Sequence, residues 1–164
     1  MEELTYALIT PYSLVKSRTG GIMGRLLAQV DLDLVAARMF IFSDAFVDAY
    51  KEMICPDDID PSLRKAWQDY LDMNLRAANS PRFVPRCLVL LFRGPDAARH
   101  LKHDVIGSFT EDPVGDTIRG TFGDLIRSPR GEIRHFEPAV ITAPVPDLAR
   151  RHLDLLARHS RTDG

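Results

Sequence analysis

Arg119 stands in the segment Gly115-Asp116-Thr117-Ile118-Arg119-Gly120-Thr121-Phe122-Gly123, which is rich in glycine and hydroxyl side chains. A guanidinium is a planar fork that grips a phosphate through two parallel hydrogen bonds, so Arg119 is the first candidate ligand for an anion. The competing role is an ion pair with Asp116 or Asp124 that fixes a long loop. His100 and His103 have the i, i+3 spacing of a metal pair, but no carboxylate or cysteine nearby completes a ligand set, and no metal site is expected. Asp57, Asp58 and Asp60 precede a helix whose positive end already favours acidic side chains, so capping explains them better than magnesium. Arg150, Arg151, Arg158 and Arg161 complement the end of the last helix, and a nucleic-acid patch is not required.

The chain has 164 residues, 45% of them hydrophobic and 27% charged, with a formal net charge of -2. That is the composition of one ordinary globular domain, expected over 1–164. A slightly acidic chain has no long-range attraction for nucleic acid, and none is expected as a partner. No stretch approaches the ~20 apolar residues of a membrane helix, and the acidic N-terminus lacks a signal-peptide pattern. Cys55 and Cys87 are far apart and without companion ligands, which suits a reducing compartment. A cytoplasmic protein without membrane attachment is expected.

Pattern places the elements that would position these groups. Leu4 to Ile9 reads as a buried strand ending before Pro11. Gly20-Gly21 opens a helix with Ile22, Leu26 and Val30 facing inward, and Leu34 to Phe42 reads as the second strand. Ser43 caps a helix carrying Phe46, Ala49, Tyr50 and Met53, and Asp60-Pro61 starts another with Leu63, Trp67, Tyr70 and Leu71 on one face. Cys87 to Phe92 is a strand, turned by Gly94-Pro95 and followed by a helical face of Ala97, Ala98 and Leu101. Ser108 to Arg134 reads as mostly irregular. Ala139 to Thr142 is a last strand, and Pro146 to His159 a final helix using Leu148, Ala149, Leu153 and Leu156. With the helix pair set aside, this is an α+β, ferredoxin-like βαββαβ arrangement.

Several segments in the right order resemble nucleoside diphosphate kinases. Gly115 to Phe122 is similar to the family's T-I-R-G-D-F phosphate loop, and Ala7-Leu8-Ile9-Thr10-Pro11 to its opening strand, which usually ends I-K-P-D. Gly20 to Leu27 resembles the first helix, and Phe92-Arg93-Gly94 through Ile106-Gly107 the strand and helix read as E-G-x-N-A through R-x-x-x-G. The resemblance spans Leu4 to about Leu156. It implies the ferredoxin-like sheet with the helix pair as a lid over the nucleotide, Mg-nucleotide as the bound species, and a homo-oligomer. It also implies that Arg119, Thr110, His103, Lys102 and Thr10 fall at nucleotide-binding positions.

The departures from that family bear on its chemistry. Its phosphate-carrying histidine lies in a segment close to N-A-V-H-G/A-S, and here Pro138-Ala139-Val140-Ile141-Thr142-Ala143 puts Ile141 at that position. Covalent relay needs a nucleophilic lone pair, which isoleucine lacks. Thr10 replaces the phosphate-binding lysine and Pro138 the asparagine. The implied protein is a phosphotransfer-deficient relative that serves as a nucleotide-binding or oligomer-forming module. The alternative is an active kinase using His135 as a relocated nucleophile. The segment Asp124 to Glu137, longer than in the family, is expected to protrude or to refold over the cleft.

Overall fold

The computed structural model describes residues 1–80, 83–108 and 116–162. Strand β1 (Glu2–Ile9) leads through a short helix α1 (Pro11–Val15) and α2 (Thr19–Gln29) into β2 (Asp33–Phe40). The helix pair α3 (Asp44–Met53) and α4 (Pro61–Leu75) intervenes before β3 (Cys87–Pro95). Helix α5 (Ala97–His100) continues as a π-helical turn (Leu101–Ile106), and α6 (Ile118–Phe122) follows. Strands β4 (Asp124–Arg127) and β5 (Ile133–Glu137), then β6 (Val140–Ile141) and α7 (Pro146–Thr162), complete the order.

The main sheet runs β2-β3-β1-β6 with every neighbouring pair antiparallel. That is the expected ferredoxin-like sheet with the helix pair inserted between β2 and β3. The start signals of the pair act as their chemistry dictates. Ser43 accepts a hydrogen bond from Phe46 N, and the Asp60 carboxylate accepts from Ser62 N and Leu63 N, with Pro61 in the first turn.

Alternation along the strands divides the core into two layers. Tyr6, Leu8, Val89 and Ile141 face α3, α4 and α7, packing with Phe46, Trp67 and Leu156. Ala7, Ile9, Leu90, Phe92 and Val140 face the other way, against Ile22 and Leu26 of α2 and Leu101 and Val105 after α5. A strand buried on both faces reads as an unbroken apolar run, which is why β1 and β3 show so little period-2 signal.

Three expectations need correction. Gly94-Pro95 does not turn the chain: β3 continues to Pro95, which pairs with Glu2 at the strand's end. Ser108 to Arg134 is not mostly irregular. Its described part holds α6 and a hairpin, β4 paired with β5 from Asp124↔Glu137 to Arg127↔Ile133. The turn is closed by Ser128 N donating to Glu132 O and Gly131 N to Ser128 O, with Gly131 at a positive φ of 83° that favours glycine. In α7, Leu153 is only half-buried, while Leu155, His152 and His159 go inside.

His152 is buried in a polar chain that crosses the core. Its Nε2 donates to Met53 O (2.6 Å), its Nδ1 accepts from the Tyr6 hydroxyl (2.8 Å), and the Tyr50 hydroxyl lies 2.6 Å from that of Tyr6. Burial pushes the imidazole pKa down from 6.5 to about 4. Because the folded pKa is depressed, the unfolded chain binds the extra proton first as pH falls. The stability from this group is therefore full above pH 6.5 and is lost progressively toward pH 4. Urea denaturation at pH 7 and pH 5 should show about 2 kcal/mol of acid destabilisation from His152, and this part of the difference should vanish in His152→Gln.

Candidate functional site

Helix α6 brings Arg119 to the bend that precedes β6. The Thr117 hydroxyl caps α6 by accepting from Gly120 N (3.0 Å). That start buries Arg119, which is 5% exposed. Its Nη2 donates to Val140 O (3.0 Å), Nε to Pro138 O (3.4 Å), and Nη1 to Gly107 O (3.4 Å) and Ser108 O. The guanidinium also lies over the Trp67 ring, 5.4 Å from its centre. Burial lowers its pKa from 12.5 to about 10, so it stays charged at neutral pH. These bonds clamp Gly107 and Ser108 to β6, and a phosphate would have to exchange for them.

Ile141 is fully buried and pairs with Leu8 across the β1–β6 ladder. The position that the resemblance gives to a nucleophile is thus an aliphatic contact in the core. The residues just before it make the polar part of the site. The Glu137 carboxylate, 3% exposed, accepts from the Tyr70 hydroxyl (2.7 Å), the Thr10 hydroxyl (2.8 Å) and Ala139 N (3.0 Å). Burial raises its pKa, against the opposing pull of those three donors and of the His135 charge. Ala139 takes a positive φ of 62°, and its carbonyl accepts from Thr10 N and Ser13 Oγ. Thr10 is therefore turned onto an internal carboxylate.

The hairpin packs against α4 through β5. Phe136 stands edge-on to Trp67, with ring centres 4.8 Å apart, and to Tyr70 at 5.9 Å. At the hairpin's base there is no room for a side chain on Gly123: a Cβ there would come within 2.7 Å of Arg119 O and 2.8 Å of Glu137 O.

The predicted residues separate accordingly. Arg119 and Thr10 meet around Pro138 to Val140. His135 is exposed on β5, opposite Ile126, and lines an outer groove with Lys65, Asp69 and Arg134. Lys102 is half-buried and His103 exposed on the π-helical turn. Thr110 lies outside the described residues. Among the described residues, no group of three or more His, Cys, Asp or Glu side chains is placed to hold a metal ion. Sequence reasoning missed Glu137 and Phe136, whose only local signal is their place just before Pro138.

No protein-family model matches the chain, and no curated protein sequence does. Solved structures do. A nucleoside diphosphate kinase from Aquifex aeolicus superposes with a TM-score of 0.64 over 95% of both chains at 15% identity. The enzyme from Borrelia burgdorferi, a transition-state mimic with bound vanadate and ADP, gives 0.67 at 16% identity over 94% of this chain and 86% of that one. The enzyme from Pyrobaculum aerophilum gives 0.59 at 16% identity, covering 94% and 95%. The chain has the fold of nucleoside diphosphate kinases.

Two substitutions test this site. Replacing Arg119 by Met leaves buried carbonyls without their charged donor, and should lower unfolding stability by on the order of 3 kcal/mol. Tyr70→Phe removes a single donor to Glu137 and should cost about 1–2 kcal/mol. Both are read by chemical denaturation followed through Trp67, the only tryptophan in the chain.

Proposed function

We propose that this protein is a nucleoside-diphosphate-kinase-like module that does not relay phosphate and works through self-assembly. The observation that carries this reading is Ile141, fully buried where the resemblance puts the phosphate-accepting histidine. The surroundings support it. In the arrangement seen, Mg-nucleotide does not fit the cleft: a carboxylate takes the donors of Thr10, Tyr70 and Ala139, and the Arg119 fork is bonded to backbone carbonyls. Anionic phosphate oxygens would meet Glu137 instead of the charge complementarity that phosphoryl transfer requires.

Self-assembly has its own support in β2. It is an edge strand, paired on one side with β3, and its residues from Asp33 to Met39 are exposed. Leu34, Val35 and Met39 on it, and Ile41 just beyond, are large apolar side chains at the surface. An exposed edge with apolar side chains is a template for pairing with another chain, and a homo-oligomer is the partner that the fold suggests. Among the described residues, no helix is long and apolar enough to cross a membrane.

Incubation with radiolabelled ATP and magnesium should leave no acid-labile phosphate on the protein. Label that disappears in His135→Ala would overturn this reading in favour of a kinase using the exposed histidine. Light scattering of the purified chain should show more than one copy per particle. Val35→Lys combined with Met39→Lys should shift it to a monomer.

A further inference from the structure

The sheet face that packs on α7 is left uncovered toward the β2 edge. A trough of about 360 Å3 runs there, floored by Leu4, Phe40, Val89 and Leu91 and walled by Leu153 and Leu156. Sites for small organic ligands begin at about 300 Å3. Leu4 is 47% exposed, and Ala36 and Ala157 leave the rims open where larger side chains would fill the space. The polar lining consists of Arg38, Asp154 and Ser160. Strand β3 below is paired on both edges, so its backbone offers no hydrogen bond to a visiting peptide. Amides laid over it would go unmet, whereas a hydrocarbon chain has none to satisfy.

The charges fix which way such a chain lies. The Arg38 guanidinium sits over the Phe40 ring, 5.2 Å from its centre, and no carboxylate among the described residues pairs with it. The Phe40 ring is in turn 5.9 Å from that of His159, next to Ser160. The cation and the Ser160 hydroxyl therefore mark one end. Asp154 lies two turns earlier on α7, about 9 Å back along the axis, so an anion seated at Arg38 stays clear of it. Beyond Leu4 and Leu153 the groove continues past Arg93 and Arg150. Arg93 already pairs with Glu2 and Asp33, and Arg150 with Asp147.

We propose that this trough binds a free fatty acid, its carboxylate held by Arg38 and Ser160 and its tail laid along Leu91 and Leu153 toward Leu4. The guanidinium fork meets a carboxylate through two parallel hydrogen bonds, and the Phe40 ring holds that fork at the trough's end. Binding is non-covalent and uses no part of the Arg119 and Glu137 site, so it is independent of the reading of that site.

The test is calorimetry with dodecanoate, kept below its micelle concentration, and with dodecanol as the uncharged counterpart. One dodecanoate per chain is expected. Binding should tighten about twofold for each methylene added from octanoate, against about fourfold for full burial, because one side of the tail stays in water. Arg38→Gln should weaken dodecanoate about 10-fold and leave dodecanol unchanged. Ala157→Phe, at an exposed helix position, should abolish binding of both. No binding to the wild type, equal loss of acid and alcohol in Arg38→Gln, or full binding by Ala157→Phe would each overturn the site. A wild type that binds neither probe and becomes monomeric in Ala157→Phe would overturn it in favour of a second copy covering the trough.

Discussion

A buried carboxylate organises the centre of this molecule. Glu137 is buried beside the last strand, and a charge in that position is tolerable only because three donors meet it. Each donor comes from a different part of the chain, so satisfying Glu137 ties α1, helix α4 and the entry to β6 into one arrangement. Arg119 does the converse for acceptors. Its cation gathers the carbonyls of Gly107, Ser108, Pro138 and Val140, and its flat face covers Trp67. The two charges are held by hydrogen bonds on either side of the Pro138–Val140 bend.

This arrangement agrees with the proposed loss of phosphoryl relay. A phosphate site requires positive and donor groups facing an open cleft. Here the same places hold an internal anion, a threonine that serves it, and an arginine spent on backbone. Ile141 adds an apolar contact with the layer formed by α3, α4 and α7. The helix pair remains useful as packing, with Phe46, Tyr50, Trp67 and Leu71 all inside.

Much of the fold was legible in the residues. Ser43 and Asp60-Pro61 announced their helices because capping chemistry is local, needing only side chains two or three positions from the backbone groups they serve. The β1 and β3 runs were legible because burial on both faces demands continuous apolar sequence. The hairpin was not, because its strands span only Asp124–Arg127 and Ile133–Glu137 and carry arginines and a histidine, too brief a pattern to rise above a loop. Leu155 was missed on the inner face of α7, which it shares with two histidines, and nothing local says that His152 finds a tyrosine on β1.

By itself, then, the sequence determined the order of the main-sheet strands and their long helices, the cap positions and the aliphatic character of Ile141. Those follow from interactions between near neighbours, or from the chemistry of a single residue. Only the tertiary structure decided what Glu137 does, where the Arg119 fork points and how Phe136 is seated. Thr10 and Glu137 are 127 positions apart, and Tyr70 and Glu137 are 67 apart. No spacing rule reaches that far. Such partners are set by the packing of the sheet against its helices, and the cost of leaving a buried charge unmet then selects the arrangement that satisfies it.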